Sequence, residues 1–269
     1  MTLVLTEISV FGIAMAADSA VTMLRDLPNG KRLVRVLVGI KKLQQIQKLQ
    51  AGISVWGEGK IAGIDSDFWL DQFIKTRENE YDSLGTFAAL LEGELRDIIP
   101  EIDLQKDLYG TIGFHLAGFV DFKGERTPTF YHIHNGRSEA LERRGIEIDA
   151  RRVNANHDLP PELAHEYLDK ERVYTTSNGD YRLYREIFER LETFFQDLAK
   201  SGKIVVPLSL SLRDRAEWLR FEIETMASLY KMMGIRYPGI EQYVRLPTIG
   251  GYITTLSISQ KGIESYETR

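Results

Sequence analysis

The chain has 269 residues, of which 43% are hydrophobic, and this is enough for the core of one large domain. Its net charge of -5 argues against a general nucleic-acid binder, because contact with phosphates needs a basic face. The absence of cysteine excludes disulfides, thiolate metal sites and a cysteine nucleophile. We recognise no signal peptide and no run of membrane-spanning length, so we expect a soluble cytoplasmic protein without a membrane partner.

Two short apolar runs at the start of the chain predict adjacent strands. The first covers residues 3–5 and the second residues 10–17, with Gly12 near the turn between them. Asp18 follows the second run directly. An antiparallel strand returns along its neighbour, so this carboxylate would come back to the beginning of the chain.

Thr2 gives the first strand a possible chemical role. Its side chain is small, so removal of Met1 is permitted and would leave a threonine with a free α-amino group. That amine titrates near pH ~8 and can accept the hydroxyl proton, so nucleophile and base would belong to one residue. The alternative is an ordinary first residue of a strand, since many chains begin with Met-Thr.

The segment up to Pro100 predicts a hairpin, a strand and two helices in that order. A Pro28-Asn29-Gly30 turn marks the hairpin. On the first helix we expect Ile64 and Phe68 to face the core. The predicted elements are a hairpin of residues 21–24 and 33–38, a strand at 51–57, and helices at about 61–75 and 84–99.

Beyond Pro100 the strand period returns, followed by two more helices and a closing hairpin. The charged stretch 137–168 is predicted to be an irregular surface excursion, with a short helix that opens near Pro161. In the helix after it, Phe194 belongs to the predicted apolar stripe. The predicted elements are strands at 111–121 and 128–134, a strand and turn within 172–180, helices at 183–198 and 211–233, and a hairpin of 250–259 with 262–266.

This order of elements predicts the fold class. Groups of strands alternate with pairs of helices, which favours an α+β fold, a four-layer αββα sandwich of two antiparallel sheets flanked by helices. We find no internal repeat and no change of composition that would mark a second domain. We therefore expect one domain over residues 1–269, with extended segments at about 137–170 and 203–247.

Taken together, these motifs resemble the proteasome beta-subunit family, threonine peptidases of the N-terminal nucleophile (Ntn) hydrolase class. The resemblance covers most of the chain, and we expect a divergent, bacterial-type member. Each motif is only moderately specific, but their order along the chain is hard to obtain by chance. These motifs have roles that the family assigns by position: Thr2, the strand 12–19 with Asp18, Lys41-Lys42-Leu43, Val55-Trp56-Gly57, the turn 174–184 with Asn178, and Gly250-Gly251.

The resemblance implies a set of catalytic residues. Thr2 would be the nucleophile, Asp18 and Lys42 would tune its hydroxyl, and the main-chain amide of Gly57 would stabilise an oxyanion. Asn178 would hydrogen-bond in the turn that opens the third helix. Lys41 remains an alternative counterpart of the family lysine, and the resemblance implies neither a metal nor a cofactor.

Four positions depart from the family pattern. Ala20 stands where an arginine is frequent, Asn178 where a serine is usual, and Leu246 and Ile249 where an aspartate and a serine lie near the terminal amine. Two alternatives to a peptidase therefore stay open. One is a catalytically inactive, proteasome-like scaffold or interaction subunit, and the other is an Ntn amidase or acylase that acts on a small amide.

The resemblance also implies partners. The family assembles into rings, so we expect self-association into a ring or a related homo-oligomer that takes a peptide or protein substrate. It is also compatible with an ATP-dependent unfoldase as a partner, but the sequence does not identify that unfoldase. We expect no nucleic-acid partner, in agreement with the negative charge.

Two histidines on one predicted strand are the other candidates for a site. His132 and His134 would share one face, but no carboxylate stands nearby at ligand spacing, so we favour a structural role over metal binding. His157 and His165 lie in the irregular stretch and form no recognisable site.

Overall fold

The structure, a computed structural model, describes residues 2–26, 32–99, 111–136, 152–169, 173–179, 182–202, 211–233 and 249–268. Strands and helices are numbered in chain order within these ranges. The strands are β1 (Leu3–Ser9), β2 (Gly12–Asp18), β3 (Val21–Asp26), β4 (Arg32–Leu37), β5 (Leu43–Ile46), β6 (Ala51–Gly57), β7 (Lys60–Ile61), β8 (Ile64–Asp65), β9 (Ile112–Phe122), β10 (Glu125–His134), β11 (Asn154–Leu159), β12 (Tyr174–Gly179), β13 (Ile253–Ser259) and β14 (Gly262–Thr268). The α-helices are α1 (Ser66–Thr76), α2 (Leu84–Ile98), α3 (Pro161–Asp169), α4 (Arg182–Lys200) and α5 (Leu212–Met233).

Two five-stranded antiparallel sheets form the centre of the molecule. The first has the order β12-β1-β2-β13-β14 and the second the order β11-β10-β9-β6-β5. In the first sheet, Leu3 pairs with Gly179 and Asp18 pairs with Ile253. The beginning of β1 and the end of β2 therefore lie together at one end of the sheet, as the sequence predicts for Thr2 and Asp18.

The sheets pack face to face, and helices cover their outer faces. Side chains such as Val4 and Met15 of the first sheet and Phe130 of the second form the apolar layer between the sheets. α1 and α2 cover the second sheet, whereas α4 and α5 cover the first. Full burial of one such aliphatic side chain stabilises the fold by roughly 1.5–3 kcal/mol. The predicted four-layer αββα architecture is confirmed.

Most predicted elements are confirmed, but the first helix begins later than its spacing predicts. α1 starts at Ser66, whereas the prediction was a start at Ile61. Ile61 and Ile64 instead pair across a tight turn. Ala62 and Gly63 in that turn have positive φ values of 50° and 82°, a backbone conformation that no helix contains.

Three large side chains predicted to face the core are exposed. Ile64 is 44% exposed, Phe68 58% and Phe194 55%. On α1 the buried positions are Leu70 and Phe73 instead. Phe68 lies two positions before Leu70, so it projects from the opposite side of α1.

The predicted surface excursion contains part of the second sheet. β11 (Asn154–Leu159) pairs with β10, so the prediction of an irregular stretch was wrong there, whereas α3 confirms the short helix near Pro161. In β11 the polar side chains of Asn156 and Asp158 occupy buried positions, so the strand lacks the alternation of apolar and polar residues that would reveal it. Residues 137–151 and 203–210, the turn at 28–30 and Leu246 lie outside the described residues.

Candidate active site

Asp18 is the centre of the site. Its carboxylate is 1% exposed and accepts four hydrogen bonds. Oδ1 accepts from the Leu3 amide at 2.9 Å and the Lys42 ammonium at 2.8 Å, and Oδ2 accepts from the amides of Ala20 at 3.1 Å and Gly250 at 3.0 Å. A buried charge is tolerated only when it is paired and hydrogen-bonded, and this carboxylate meets both conditions.

Lys42, rather than Lys41, lies against Asp18. Its side chain is 2% exposed, and Nζ donates to Asp18 Oδ1 and to the carbonyl oxygen of Ala20. Burial lowers the pKa of Lys42, and the charge and hydrogen bond of Asp18 oppose that shift. Lys41 instead lies on the surface with its ammonium 5.5 Å from the centre of the Tyr266 ring. The geometry therefore favours Lys42 for the role the resemblance implies.

Thr2 is held at this end of the first sheet through its main chain. It is 3% exposed and immediately precedes Leu3, whose amide is bound by Asp18. On its other side lies Gly179, where a Cβ atom would come 1.9 Å from the Thr2 carbonyl oxygen. Gly179 also has a φ of 98°, so a side chain there would be excluded both by strain and by lack of space.

Gly57 ends β6 beside the lysine. The main chain of β6 is tied to Lys42, because the Val55 amide donates to the Lys42 carbonyl oxygen at 2.9 Å. Gly57 has a φ of 90°, and a Cβ atom there would lie 2.1 Å from the carbonyl oxygen of Thr111. The position therefore requires glycine, and Gly57 is exposed to solvent.

Ser19 is a residue of this site that sequence reasoning missed. Its hydroxyl oxygen accepts from the amides of Tyr252 at 2.7 Å and Gly39 at 3.3 Å, and its carbonyl oxygen accepts from the Ile40 amide at 3.2 Å. Ser19 thus joins the end of β2 to the segment before Lys42 and to the segment before β13. Its position directly after Asp18 was the available signal.

The side chain of Asn178 points into the layer between the sheets. Its Oδ1 lies 2.7 Å from Nε2 of His115, and Nδ1 of the same ring lies 3.0 Å from Oγ1 of Thr6. Asn178 pairs with Val4 in the register of β12 and β1. The structure therefore brings Thr2, Asp18 and Lys42 together at one end of the first sheet and ties Lys42 to β6, the strand that Gly57 ends. It places the Asn178 amide on a histidine of the opposite sheet.

Three buried histidines continue this layer. His115 and His132 have ring centroids 5.2 Å apart, and those of His132 and His134 are 3.9 Å apart. His132 Nδ1 lies 3.5 Å from a carboxylate oxygen of Asp158 on β11, the strand that the sequence did not predict. Trp56 covers the cluster, with its centroid 5.6 Å from that of His132. Within the described ranges, no three His, Cys, Asp or Glu side chains are arranged to hold a metal ion.

No family model matches the chain, and no curated protein matches it. Among solved structures, a mutant of Anbu from Hyphomicrobium sp. strain MC1 is similar to it, with a TM-score of 0.52. The two sequences are 13% identical, and the match covers 100% of this chain and 87% of that chain. The chain has the fold of Anbu.

The Anbu fold confirms the predicted resemblance at the level of architecture. Anbu is a relative of proteasome beta subunits with the Ntn-hydrolase fold, which is the fold that the motifs indicate. At 13% identity the match shows the fold alone, so the roles of Thr2, Asp18, Lys42, Gly57 and Asn178 remain predictions.

Two of the departures from the family pattern can be located on the Anbu fold. Ala20 uses only its main chain, which binds Asp18 through its amide and Lys42 through its carbonyl oxygen. Ile249 is fully buried in the apolar cluster between the first sheet and its helices. Its side chain therefore contributes to the core and offers the site no polar group.

Across the described ranges, no helix is long and apolar enough to cross a membrane.

The buried histidines predict a loss of stability in acid. Burial lowers the pKa of His115 from 6.5 to about 4, and burial also holds the pKa values of His132 and His134 well below 6.5. Below pH 6.5 the unfolded chain binds protons at these histidines, whereas the folded chain does not, so stability falls as the pH decreases toward 4. For His115 alone the loss is about 3 kcal/mol.

Urea unfolding at about pH 7.5 and pH 5 measures this effect. We expect the free energy of unfolding to be lower at the acid pH, and His132→Phe to reduce that difference. His165→Gln, at an exposed position, is the control for the loss of a histidine outside this cluster. Equal pH dependence in His132→Phe and the wild type would contradict the assignment.

Proposed function

We propose that this protein is a threonine-type peptidase that uses Thr2, after removal of Met1, to hydrolyse peptide bonds. The observation that carries the proposal is the buried Lys42–Asp18 pair, whose carboxylate also binds the amide directly after Thr2. A buried ion pair is costly to assemble, and here it stands at the one residue that can combine a hydroxyl with a free amine.

The proposed reaction has two steps. Thr2 Oγ1 attacks the substrate carbonyl while its proton passes to the α-amino group, and the positive charge of Lys42 favours the developing alkoxide. The oxyanion is stabilised by the amide of Gly57, and collapse expels the amine of the leaving peptide, which takes the proton. Water then attacks the ester with the α-amino group as base, releasing the carboxylic acid and restoring Thr2.

We further infer a homo-oligomer, in a ring or related assembly, that takes peptide or protein substrates. An ATP-dependent unfoldase partner belongs to the same proposal. These assembly properties rest on the resemblance to proteasome beta subunits and on the shared Anbu fold. Analytical ultracentrifugation of the purified chain tests the oligomer directly.

The first experiment is the intact mass of the purified protein with and without a peptide epoxyketone. The hydrolase requires loss of Met1 and a mass increase of one inhibitor on Thr2. Retention of Met1 would overturn the proposal, because the mechanism needs the free amine. Comparing turnover of peptides with that of small amides then separates a peptidase from an amidase or acylase.

A second candidate is a non-catalytic scaffold of the same fold. Ile249 favours it, because this buried apolar side chain cannot tune the amine from its place beside Gly250. A chain that loses Met1 but does not react with the epoxyketone supports the scaffold.

Lys42→Met gives a prediction specific to the peptidase. Methionine keeps the length and apolar stem of the side chain but removes the charge beside Thr2, so we expect kcat to fall by about 10²- to 10³-fold. Lys41→Met is the matched control, since Lys41 is exposed and lies next in sequence. Peptide hydrolysis assays measure both variants. Equal kcat values for Lys42→Met and the wild type would contradict the role of the lysine.

A further inference from the structure

The geometry points to His115 as a positioning residue that holds the main chain of Thr2 in place through Asn178 and Thr6. The inference rests on the proposed function. It assigns no contact with substrate to His115, and it goes beyond the residues that the resemblance implies.

The ring of His115 joins the two sheets by two directed hydrogen bonds. His115 lies on β9 of the second sheet and is fully buried. Asn178 Oδ1 can only accept, so the Nε2 atom 2.7 Å away carries the proton and donates it. Nδ1 then accepts from the hydroxyl of Thr6 at 3.0 Å. The bonding pattern therefore specifies one neutral tautomer, in agreement with a burial that lowers the pKa of His115 to about 4.

Both bonds end on strands that hold Thr2. Asn178 is followed by Gly179, whose main chain is so close to the Thr2 carbonyl oxygen that a Cβ atom would lie 1.9 Å from it. Thr6 lies on β1, the strand that Thr2 precedes. A shift of either anchor therefore moves the main chain of the nucleophile.

His115 also relates Thr2 to the proposed oxyanion donor. It pairs with Ser54 on β6, the strand that ends at Gly57. One ring thus connects β1 and β12, which position Thr2, to the two neighbouring strands that position Gly57. Val4, Met15 and Phe130 contribute apolar contacts to this layer, and apolar contacts are non-directional, so they resist sliding of the sheets less well than hydrogen bonds.

The charged and titratable groups that surround His115 come from the second sheet. Among the described residues, His132 and His134 face it from β10 and Asp158 from β11, while the first sheet offers the neutral side chains of Thr6 and Asn178. Asn178→Asp would place a carboxylate on Nε2. That change raises the pKa of His115 and makes Nδ1 a donor at higher pH.

Thr6→Val and Thr129→Val form a matched pair for the test. Both threonines are fully buried, and both bond a histidine, since Thr129 Oγ1 lies 2.5 Å from Nε2 of His157. Only Thr6 is on the nucleophile strand. We expect Thr6→Val to lower kcat by ~10- to 100-fold with little change in KM, because a displacement of about 1 Å can cost that much. Thr129→Val should keep the wild-type kcat, and equal kcat values in the two variants would overturn the inference.

Titration of the His115 ring provides a second readout that general destabilisation would not produce. We expect NMR titration to give His115 a pKa that is higher by ~1 pH unit or more in Asn178→Asp than in the wild type, and Asn178→Leu to lower kcat without raising that pKa. Thermal unfolding of every variant shows whether lost activity follows lost stability. An unchanged titration of the His115 ring in Asn178→Asp would contradict the bond to His115.

Hydrogen exchange at the Leu3 amide separates failure of this inference from failure of the proposed function. This amide reports the place of the nucleophile strand because it binds Asp18, and it needs no catalysis. Faster exchange in Thr6→Val than in Thr129→Val supports the positioning role even if the wild type proves inactive. Equal exchange in the two variants would overturn it even if the wild type is a peptidase.

Discussion

Thr2→Ala is expected to abolish peptide hydrolysis, with turnover at least ~10³-fold below that of the wild type. Alanine is small enough to permit removal of Met1, so the variant keeps the free amine and loses only the hydroxyl nucleophile. Thr2 is nearly buried, and truncation of its side chain should cost the fold only ~1 kcal/mol. A peptide hydrolysis assay measures the loss, and labelling with an epoxyketone should disappear with it.

Thr2→Ser is the matched control for this result. Serine keeps a hydroxyl at the same place and also permits removal of Met1, so labelling and part of the turnover should remain. Undiminished hydrolysis by Thr2→Ala would mean that another residue is the nucleophile, and the peptidase mechanism would have to be abandoned.

Arg215→Met is expected to lower the free energy of unfolding by about 3–5 kcal/mol. Arg215 of α5 bonds both carboxylate oxygens of Glu7 on β1, and the two side chains are only 7% and 2% exposed. Methionine fills a similar volume but leaves the Glu7 carboxylate buried without its cation. Urea unfolding monitored by circular dichroism measures the change.

Two further variants define the origin of that loss. Glu7→Leu combined with Arg215→Met removes both charges and should restore most of the stability, because a buried ion pair contributes little beyond what an apolar pair would. Arg220→Met breaks the more exposed pair with Glu217 and should cost less than about 1 kcal/mol. Equal losses in Arg215→Met and Arg220→Met would show that burial of the Glu7–Arg215 pair has no energetic role.

The sheets could be predicted from the sequence because their signals are local. β6 occupies residues 51–57 as predicted, and the closing hairpin of β13 and β14 begins where Gly250-Gly251 indicates. Alternation of side chains and glycines at turns depends only on neighbouring residues. The order of these elements was then enough to derive the four layers.

The missed strand β11 shows how distant contacts override the local pattern. It carries Asn156 and Asp158 at buried positions because partners on other strands satisfy them, as His134 does for Asn156 at 3.0 Å. No local rule predicts a buried strand from such polar residues. The start of α1 was missed for a local reason, because the turn at Ala62 and Gly63 interrupts an apolar spacing that otherwise looks helical.

The site could be predicted only in part. The resemblance singled out Asp18 and named Lys42, with Lys41 as an alternative, and the burial of Lys42 and the exposure of Lys41 favour Lys42. The contact between Asn178 and His115 spans 63 positions, and no pattern in the sequence connects them. Ser19 was missed because its partners are main-chain amides, which no side-chain pattern reveals, and its place directly after Asp18 was the one available signal.

The four hydrogen bonds of Asp18 also determine when the site can form during folding. One donor, Leu3, is made among the first residues of the chain, and another, Gly250, lies 232 positions after the carboxylate that accepts from it. β13 pairs directly with β2, so the first sheet closes only after the ribosome has synthesised nearly the whole chain. Contacts of such sequence separation form slowly. A nascent or truncated chain that lacks Gly250 would therefore carry Thr2 without all four hydrogen bonds of Asp18. Assembly of the proposed site is delayed until this segment has been synthesised and folded.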